Sequence, residues 1–419
     1  QWSQMGLQGW SFADVLPYFR RSEGYEGGDS TFHGGAGPLR VSESPMSSPI
    51  FRAFVQAGEQ AGYKRTEDFN GAQQEGFGRY QRTIHKGERW SASYGYLRPI
   101  EGVRPNLTVI STGLVTRVLI ENGRATGVEV VEGKGALTQV IQADKEVVVC
   151  AGAVQSPQIL MLSGIGNPEH LDRFGIKAKV SSPGVGQNLQ DHLDVTVIHE
   201  MTQPVSAYSA QKGIKKLGVG LQYLFNQTGA GADNFLQAGA FINSREGLSM
   251  PDIQLHLVNA IMMDHGNHDA KKDGFTVHAC QLRPESRGTI CLASDDPFAH
   301  PAIDPNYLAA EEDRRAMREA VKMVRDVCGQ SALKAPRSCR AQALLPMTTL
   351  TALSAAWAKR SIIRSVRLRW ERAMTARSTA SCACAVSMGF GSSMRRSCRR
   401  SWVAIRMPLR SWLPKRPLT

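Results

Sequence analysis

The apolar run EVVVCA, residues 146–151, passes directly into GAVQSPQILMLSGIG, residues 152–166. EVVVCA shows no polar–apolar alternation, which predicts a strand buried on both faces, the pattern of a parallel sheet. Gly152 lets the backbone turn sharply or approach a ligand closely. Ser156 is the expected N-cap, with Pro157 at the first helical position. Ile159, Leu160 and Leu162 would bury that helix, and Gly164 with Gly166 would end it. NPEHLDRFG then restarts a helix, with Asn167 as cap, Pro168 first and Gly175 beyond its end. Strand, turn and helix in immediate order are half of a βαβ unit, so the fold class is α/β. Taken alone, the pattern is by default an ordinary strand–loop–helix connection rather than a cofactor loop. GIGNPE and GVGQNL share a G-x-G spacing, but neither follows a strand and opens a helix, so they are weak dinucleotide fingerprints.

Elsewhere the periodicities divide the chain, whose 419 residues suffice for two domains. SPIFRAFVQAGEQAG predicts a helix with Ile50, Phe54, Val55 and Ala61 on one face and Gly62 at its end. Two β-branched runs around Asn122-Gly123 predict a hairpin. From 195 to 306 the short runs DVTVIHE, LQAGAFINS, DIQLHLV, FTVHACQL and GTICLAS predict an antiparallel sheet. AEEDRRAMREAVKMVRDV is an amphipathic helix with Met317, Ala320, Val321 and Val324 on its apolar side.

The formal net charge of +13 suggests a polyanionic partner, but its distribution does not. Residues 329–419 hold 18 Lys and Arg and one acidic residue, Glu371, so the preceding residues carry a net −4. The same tail has only three glycines and no sustained period. Arg395, Arg396, Arg399 and Arg400 could meet phosphate, but Trp402 and Trp412 are not interleaved with them as a nucleic-acid surface requires. The alternative function is a non-enzymatic, basic-tail protein binding nucleic acid or an anionic surface. Eight cysteines without a C-x-x-C pair fit a reducing compartment and no zinc site. Cys382 and Cys384, spaced C-x-C, are weak metal candidates. His265 and His268 beside Asp264 and Asp269 read as a solvated loop, and no metal is expected.

GAVQSPQILMLSGIG resembles a signature of the glucose-methanol-choline (GMC) family of FAD oxidoreductases. GWSFADVLPYFRRSE, FHGGAGPL, DFNGAQQEGFG, RWSASYGYL, PGVGQNLQDH, SRGTICLAS and AIDPNYL resemble other family segments in order. The resemblance covers residues 2 to about 328 and is strongest to the choline and primary-alcohol dehydrogenases. It implies α/β architecture, α+β overall, with a partial Rossmann-like FAD domain interleaved with an antiparallel-sheet substrate domain. Residues 1–194 would be a partial FAD-binding domain with lid-like loops, and 195–310 the substrate-binding domain. Residues 311–328 would return to the FAD domain, and 329–419 would form a basic tail without defined fold. FAD is the implied cofactor, with Val115 by the adenine and Ala151, Gly152 and Ala153 beside the dinucleotide.

The implied activity is hydride transfer from a primary alcohol to flavin N5, of the choline dehydrogenase or the aliphatic alcohol dehydrogenase kind, with an acceptor other than NAD or oxygen. Choline-oxidising relatives tend to have Glu where this chain has Gln237, which points to a neutral small alcohol as substrate. His192 and His256 read as structural or pocket-lining rather than as bases. A bacterial-type cytoplasm or the cytoplasmic face of the inner membrane fits best, with peripheral membrane association and oligomeric state left open.

Three family features are missing as written: an upstream strand-GxGxxG-helix, a His-Pro-x-Gly-Thr segment and a Gly-Gly-Asn-x-Asn segment. The expectation is therefore an N-terminally truncated chain with no identified catalytic residue, a fragment inactive by itself. SIIRSVR, GFGSSMRRSCR and SWVAIRMP can all be back-translated so that one two-nucleotide shift gives family-like segments, including His-His-Pro-Val-Gly-Thr. A frameshift between Val327 and Ser361 would account for the tail's composition.

Overall fold

The computed structural model describes residues 3–263 and 270–334, with the backbone of 342–343. The expected solvated loop at His265 and His268, and the readings of the tail beyond residue 334, lie outside these residues. In chain order the principal elements are α1 (Pro49–Gln60), β1 (Gly76–Arg79), β2 (Leu114–Glu121), β3 (Arg124–Val131), β4 (Thr138–Gln142), α2 (Gly152–Leu162) and α3 (Pro168–Asp172). They continue with β5 (Asp194–Glu200), α4 (Gly213–Asn226), β6 (Ala238–Ile242), β7 (Ile253–Val258), β8 (Gly274–Gln281), α5 (Glu311–Cys328) and β9 (Gln342–Ala343). Among the described residues no helix is long and apolar enough to cross a membrane.

Two compact units are interleaved along the chain. The first takes the described residues up to 91, from 191 to 286 and from 307 onward. Its centre is an antiparallel sheet ordered β9-β5-β8-β7-β6-β1. Ala240 stands opposite both Leu255 and Phe77, and Val277 is shared as a partner by Val197 and Leu257. Every residue of β6 and β7 is buried, so these strands read as continuous apolar runs rather than alternating ones. The first four of the five predicted strand runs lie here. The fifth, GTICLAS, does not: Thr289–Cys291 pairs with Ala302–Asp304 in the other unit, where Asp304 stands opposite Thr289. Strand β1 joins from more than 150 residues upstream of β6, a pairing no local period reveals.

Helix α1 follows its periodicity: Ile50, Phe51, Phe54 and Ala57 are buried, and Gly62 takes φ +87° beyond its end. Phe54 meets the Phe77 ring at 5.3 Å between centroids. A Cβ on Gly58 would come within 2.3 Å of that ring, so glycine is what lets helix and strand approach. Burying each such phenylalanine contributes about 2–3 kcal/mol. Helix α5 presents Ala316, Ala320, Val324 and Val327 to the same core. Buried Asp313 in its first turn accepts from the Glu285 and Ser286 amides at 2.8 Å each and from Gln281 Nε2 at 2.7 Å. The core continues past Cys328 to a helical turn, Ser331–Lys334, through fully buried Leu333.

The second unit takes residues 92–190 and 287–306. Strands β2, β3 and β4 form an antiparallel meander. Asn122 and Gly123 both have positive φ, 49° and 76°, as a two-residue hairpin turn demands. Helix α2 packs Ile159 against Val118, Val128 and Val130. Ser163 pins this contact: its Oγ accepts from the Val118 amide at 2.8 Å and donates to the Ile159 carbonyl at 2.6 Å.

Two expectations are corrected here. EVVVCA is not a strand; residues 146–150 make no backbone hydrogen bond to other described backbone, and Val148 is 55% exposed. A strand buried on both faces needs a ladder partner on each edge, and no described strand supplies one. Nor does Ser156 cap a helix. The helix begins five residues earlier, with Ala151 as N-cap and Pro157 inside it, while Ser156 Oγ accepts from the Ala151 amide at 3.1 Å. Leu160 and Leu162 are only half-buried, and Met161 takes the buried position. Helix α3 does begin as expected, with Asn167 Oδ1 accepting from the Glu169 amide at 3.0 Å.

Candidate functional site

In the second unit, four expected cofactor residues gather at one place. Val115 lies on β2 opposite Val130, where the β2–β3 ladder breaks register. Val115 and Ala151 both pack on the Val118–Val128–Val130–Ile159 cluster, with Val147 and Val149 beside them. Gly152 opens α2 at φ +79°, a conformation that strains any residue with a Cβ. Ala153 follows, exposed. Three small residues in succession leave the backbone open to close approach by a flat ligand. These are the residues that the family resemblance sets beside the dinucleotide. No phosphate-binding glycine loop of the strand-GxGxxG-helix kind accompanies them among the described residues.

In the first unit, Gln237 is fully buried just ahead of β6. Its Oε1 accepts from the Ser47 amide at 2.8 Å, and its Nε2 donates to Ser47 Oγ at 2.8 Å and to Asp233 Oδ2. Asp233 is also paired with Arg82 at 3.7 Å, both side chains largely buried. The Gln237 carbonyl accepts from the Tyr80 amide at 2.9 Å. Tyr80 in turn donates its hydroxyl to the Leu255 carbonyl at 2.6 Å and stacks on His256 at 5.4 Å. Burial pushes the Tyr80 phenol far above its ordinary value, so it acts as a donor and packing group, not an acid–base group. Ser47, Arg82, Tyr80 and Asp233 escaped the sequence reading; Ser47 and Gln237 are 190 residues apart.

The remaining titratable groups are built into the scaffold. His33 is buried between Glu23 and Asp68. His199 lies in β5 against Phe275, 5.0 Å between ring centroids, with no hydrogen-bond partner for either ring nitrogen among the described residues. His192 follows Asp191, whose carboxylate accepts from the Tyr307 hydroxyl and the His192 amide. Cys150 is exposed and Cys328 buried. Among the described residues no three His, Cys, Asp or Glu side chains converge as a metal site.

Comparison with known proteins adds sequence-wide similarity to this geometry. Residues 1–194 and 284–391 match the N- and C-terminal halves of a family described as GMC oxidoreductase; the second match runs past the change of composition at Cys328. Human mitochondrial choline dehydrogenase is 45% identical over 333 residues, 80% of this chain and 56% of that protein. The oxygen-dependent choline dehydrogenase of Rhizobium etli is 44% identical over 337 residues, 80% of this chain and 61% of that one. The chain thus spans between half and two thirds of the length of these relatives. Among solved structures, a formate oxidase superposes with a TM-score of 0.75 at 25% identity, covering 84% of this chain and 66% of that one. Pyridoxine 4-oxidase from Mesorbium loti gives 0.70 at 27%, covering 81% and 62%. The reading as a nucleic-acid or anionic-surface binding tail gains no support from these oxidoreductase relatives.

Proposed function

The chain belongs to the GMC oxidoreductase family, and on that premise we propose an FAD-dependent oxidoreductase acting on CH–OH donors, oxidising a small primary alcohol. The observation that carries the reading is the pair of family matches in family order on one chain, with 45% identity to human mitochondrial choline dehydrogenase over 80% of that chain. Bound flavin would supply the hydride acceptor. Val115 and the Ala151–Gly152–Ala153 turn would hold its adenosine side through apolar contact and close backbone approach. Residues 195–310 would wall the substrate, with an acceptor other than NAD or oxygen.

Gln237 is the specificity residue in this reading. Its amide is neutral, and its neighbour Asp233 is already compensated by Arg82, Gln237 and Ser47. No uncompensated negative charge is therefore left at this point of the first unit for a quaternary ammonium. A neutral alcohol is the preferred substrate, in contrast to the choline named for the relatives.

The test is made on the protein encoded by the complete gene. Flavin absorbance near about 450 nm, with dye-linked turnover of 1-butanol exceeding that of choline, is the expected result. A colourless, folded protein would sink the family activity. A yellow protein that turns over choline and not butanol would sink only the substrate assignment.

A further inference from the structure

Helix α4 is amphipathic in the wrong direction for a globular surface. Ile214, Leu217, Leu221, Leu224 and Phe225 fall within about 100° of arc on a helix of 3.6 residues per turn. All five are exposed, between 47% and 89%. The half-buried position is Val219, on the opposite side of the wheel. The helix contains no buried residue. An isolated 14-residue helix is marginal in water, and its stability ordinarily comes from burying its apolar stripe.

Charge identifies what covers the stripe. From Ala207 to Ala232 the sequence has three cations, Lys212, Lys215 and Lys216, and no acidic residue. Lys212 lies over the Tyr208 ring at 3.9 Å. Lys215 and Lys216 stand outside the apolar arc, and neither makes an ion pair among the described residues. At 1.5 Å per residue the helix is about 21 Å long, too short to cross a hydrocarbon core of about 30 Å. An apolar stripe flanked by lysines and free of acids is the pattern of a helix lying in the plane of an anionic bilayer surface. A second copy of this chain offers no acidic residue on the same helix to meet Lys215 and Lys216, which disfavours that occupant.

We propose that α4 docks this protein onto an anionic lipid surface, with Leu217, Leu221 and Leu224 entering the headgroup–acyl boundary and Lys215 and Lys216 meeting lipid phosphate. The proposal stands apart from the substrate and the cofactor.

The probe is flotation of the full chain with phosphatidylcholine vesicles, with and without about one third phosphatidylglycerol. Binding only to the anionic vesicles, weakened at least about tenfold by raising salt towards 0.5 M, is expected. The triple variant Leu217→Ser, Leu221→Ser, Leu224→Ser should lose binding at least about tenfold with unchanged circular dichroism, since these side chains are exposed. Lys215→Glu with Lys216→Glu should lose the preference for phosphatidylglycerol. Equal binding by the triple variant, or no binding by the parent chain, overturns the proposal. Concentration-dependent dimerisation abolished by the triple variant, without vesicle binding, overturns it in favour of a second copy.

Discussion

His33 Nε2 lies 2.9 Å from Asp68 Oδ2, joining residues 35 positions apart, while Nδ1 of the same ring lies 2.9 Å from Glu23 Oε2. Burial works against a charge on this ring, but the hydrogen bond to Asp68 and the field of Glu23 outweigh it and raise the imidazole above its ordinary value. An imidazolium donates at both nitrogens, which suits two carboxylate acceptors. The Arg20 Nε–H bond to the His33 carbonyl and the Gln81 and Asn70 bonds to Asp68 complete the surroundings.

Because the folded value is raised, the stabilisation is present below the unfolded value of 6.5 and is lost as pH rises through the folded one. His33→Gln should cost about 1–3 kcal/mol at pH 6 and less at pH 9. Chemical denaturation of parent and variant at both pH values measures this, and a pH-independent difference would refute the charged bridge.

His199 has the opposite sign. Burial, helped by the field of Arg325, lowers its value to about 4. The neutral ring is at no disadvantage above pH 6.5, but the unfolded chain binds a proton the folded one refuses between 6.5 and 4. Stability should fall by about 3 kcal/mol over that window. His199→Leu should flatten the acid limb of the stability profile and raise stability at pH 5. An unchanged acid limb in urea titrations of the variant would exclude this ring as the cause.

At Gly58 the helix surface and the Phe77 ring leave no space for a methyl group. Gly58→Ala should destabilise by about 1–3 kcal/mol despite the better helix propensity of alanine. Adding Phe77→Leu should recover part of the loss made by the first substitution. Thermal unfolding of the two single variants and the double variant closes the cycle, and strict additivity would argue against the contact.

Gln237→Glu tests specificity. The added carboxylate would face Asp233, a repulsion that raises the pKa of one of the two acids. Turnover of choline relative to butanol by the full-length protein should rise at least about tenfold, worth 1.4 kcal/mol or more of discrimination. A ratio that stays put would remove Gln237 from substrate selection.

Local chemistry made some of this legible and non-local chemistry hid the rest. Asn122-Gly123 names its turn because few residues adopt positive φ, and α1 declares its buried face because Ile50 and Phe54 repeat at helical spacing. EVVVCA departs from its expectation because a strand is made by its neighbours: with no ladder partner among the described residues, the same valines are irregular. The Ser47–Gln237 pair and the β1–β6 pairing depend on the folded topology, and no residue type near Ser47 signals its partner. The FAD assignment came from family resemblance, not from spacing.

The run Val147–Val149 also has a practical consequence. β-branched side chains on a backbone whose amides and carbonyls have no ladder partner among the described residues form an open template for another chain. Intermolecular strand addition there would be self-propagating, since each new molecule brings the same run of valines. Solutions of this chain are therefore expected to aggregate in a concentration-dependent way, and Val148→Lys would act as a gatekeeper substitution at an exposed position.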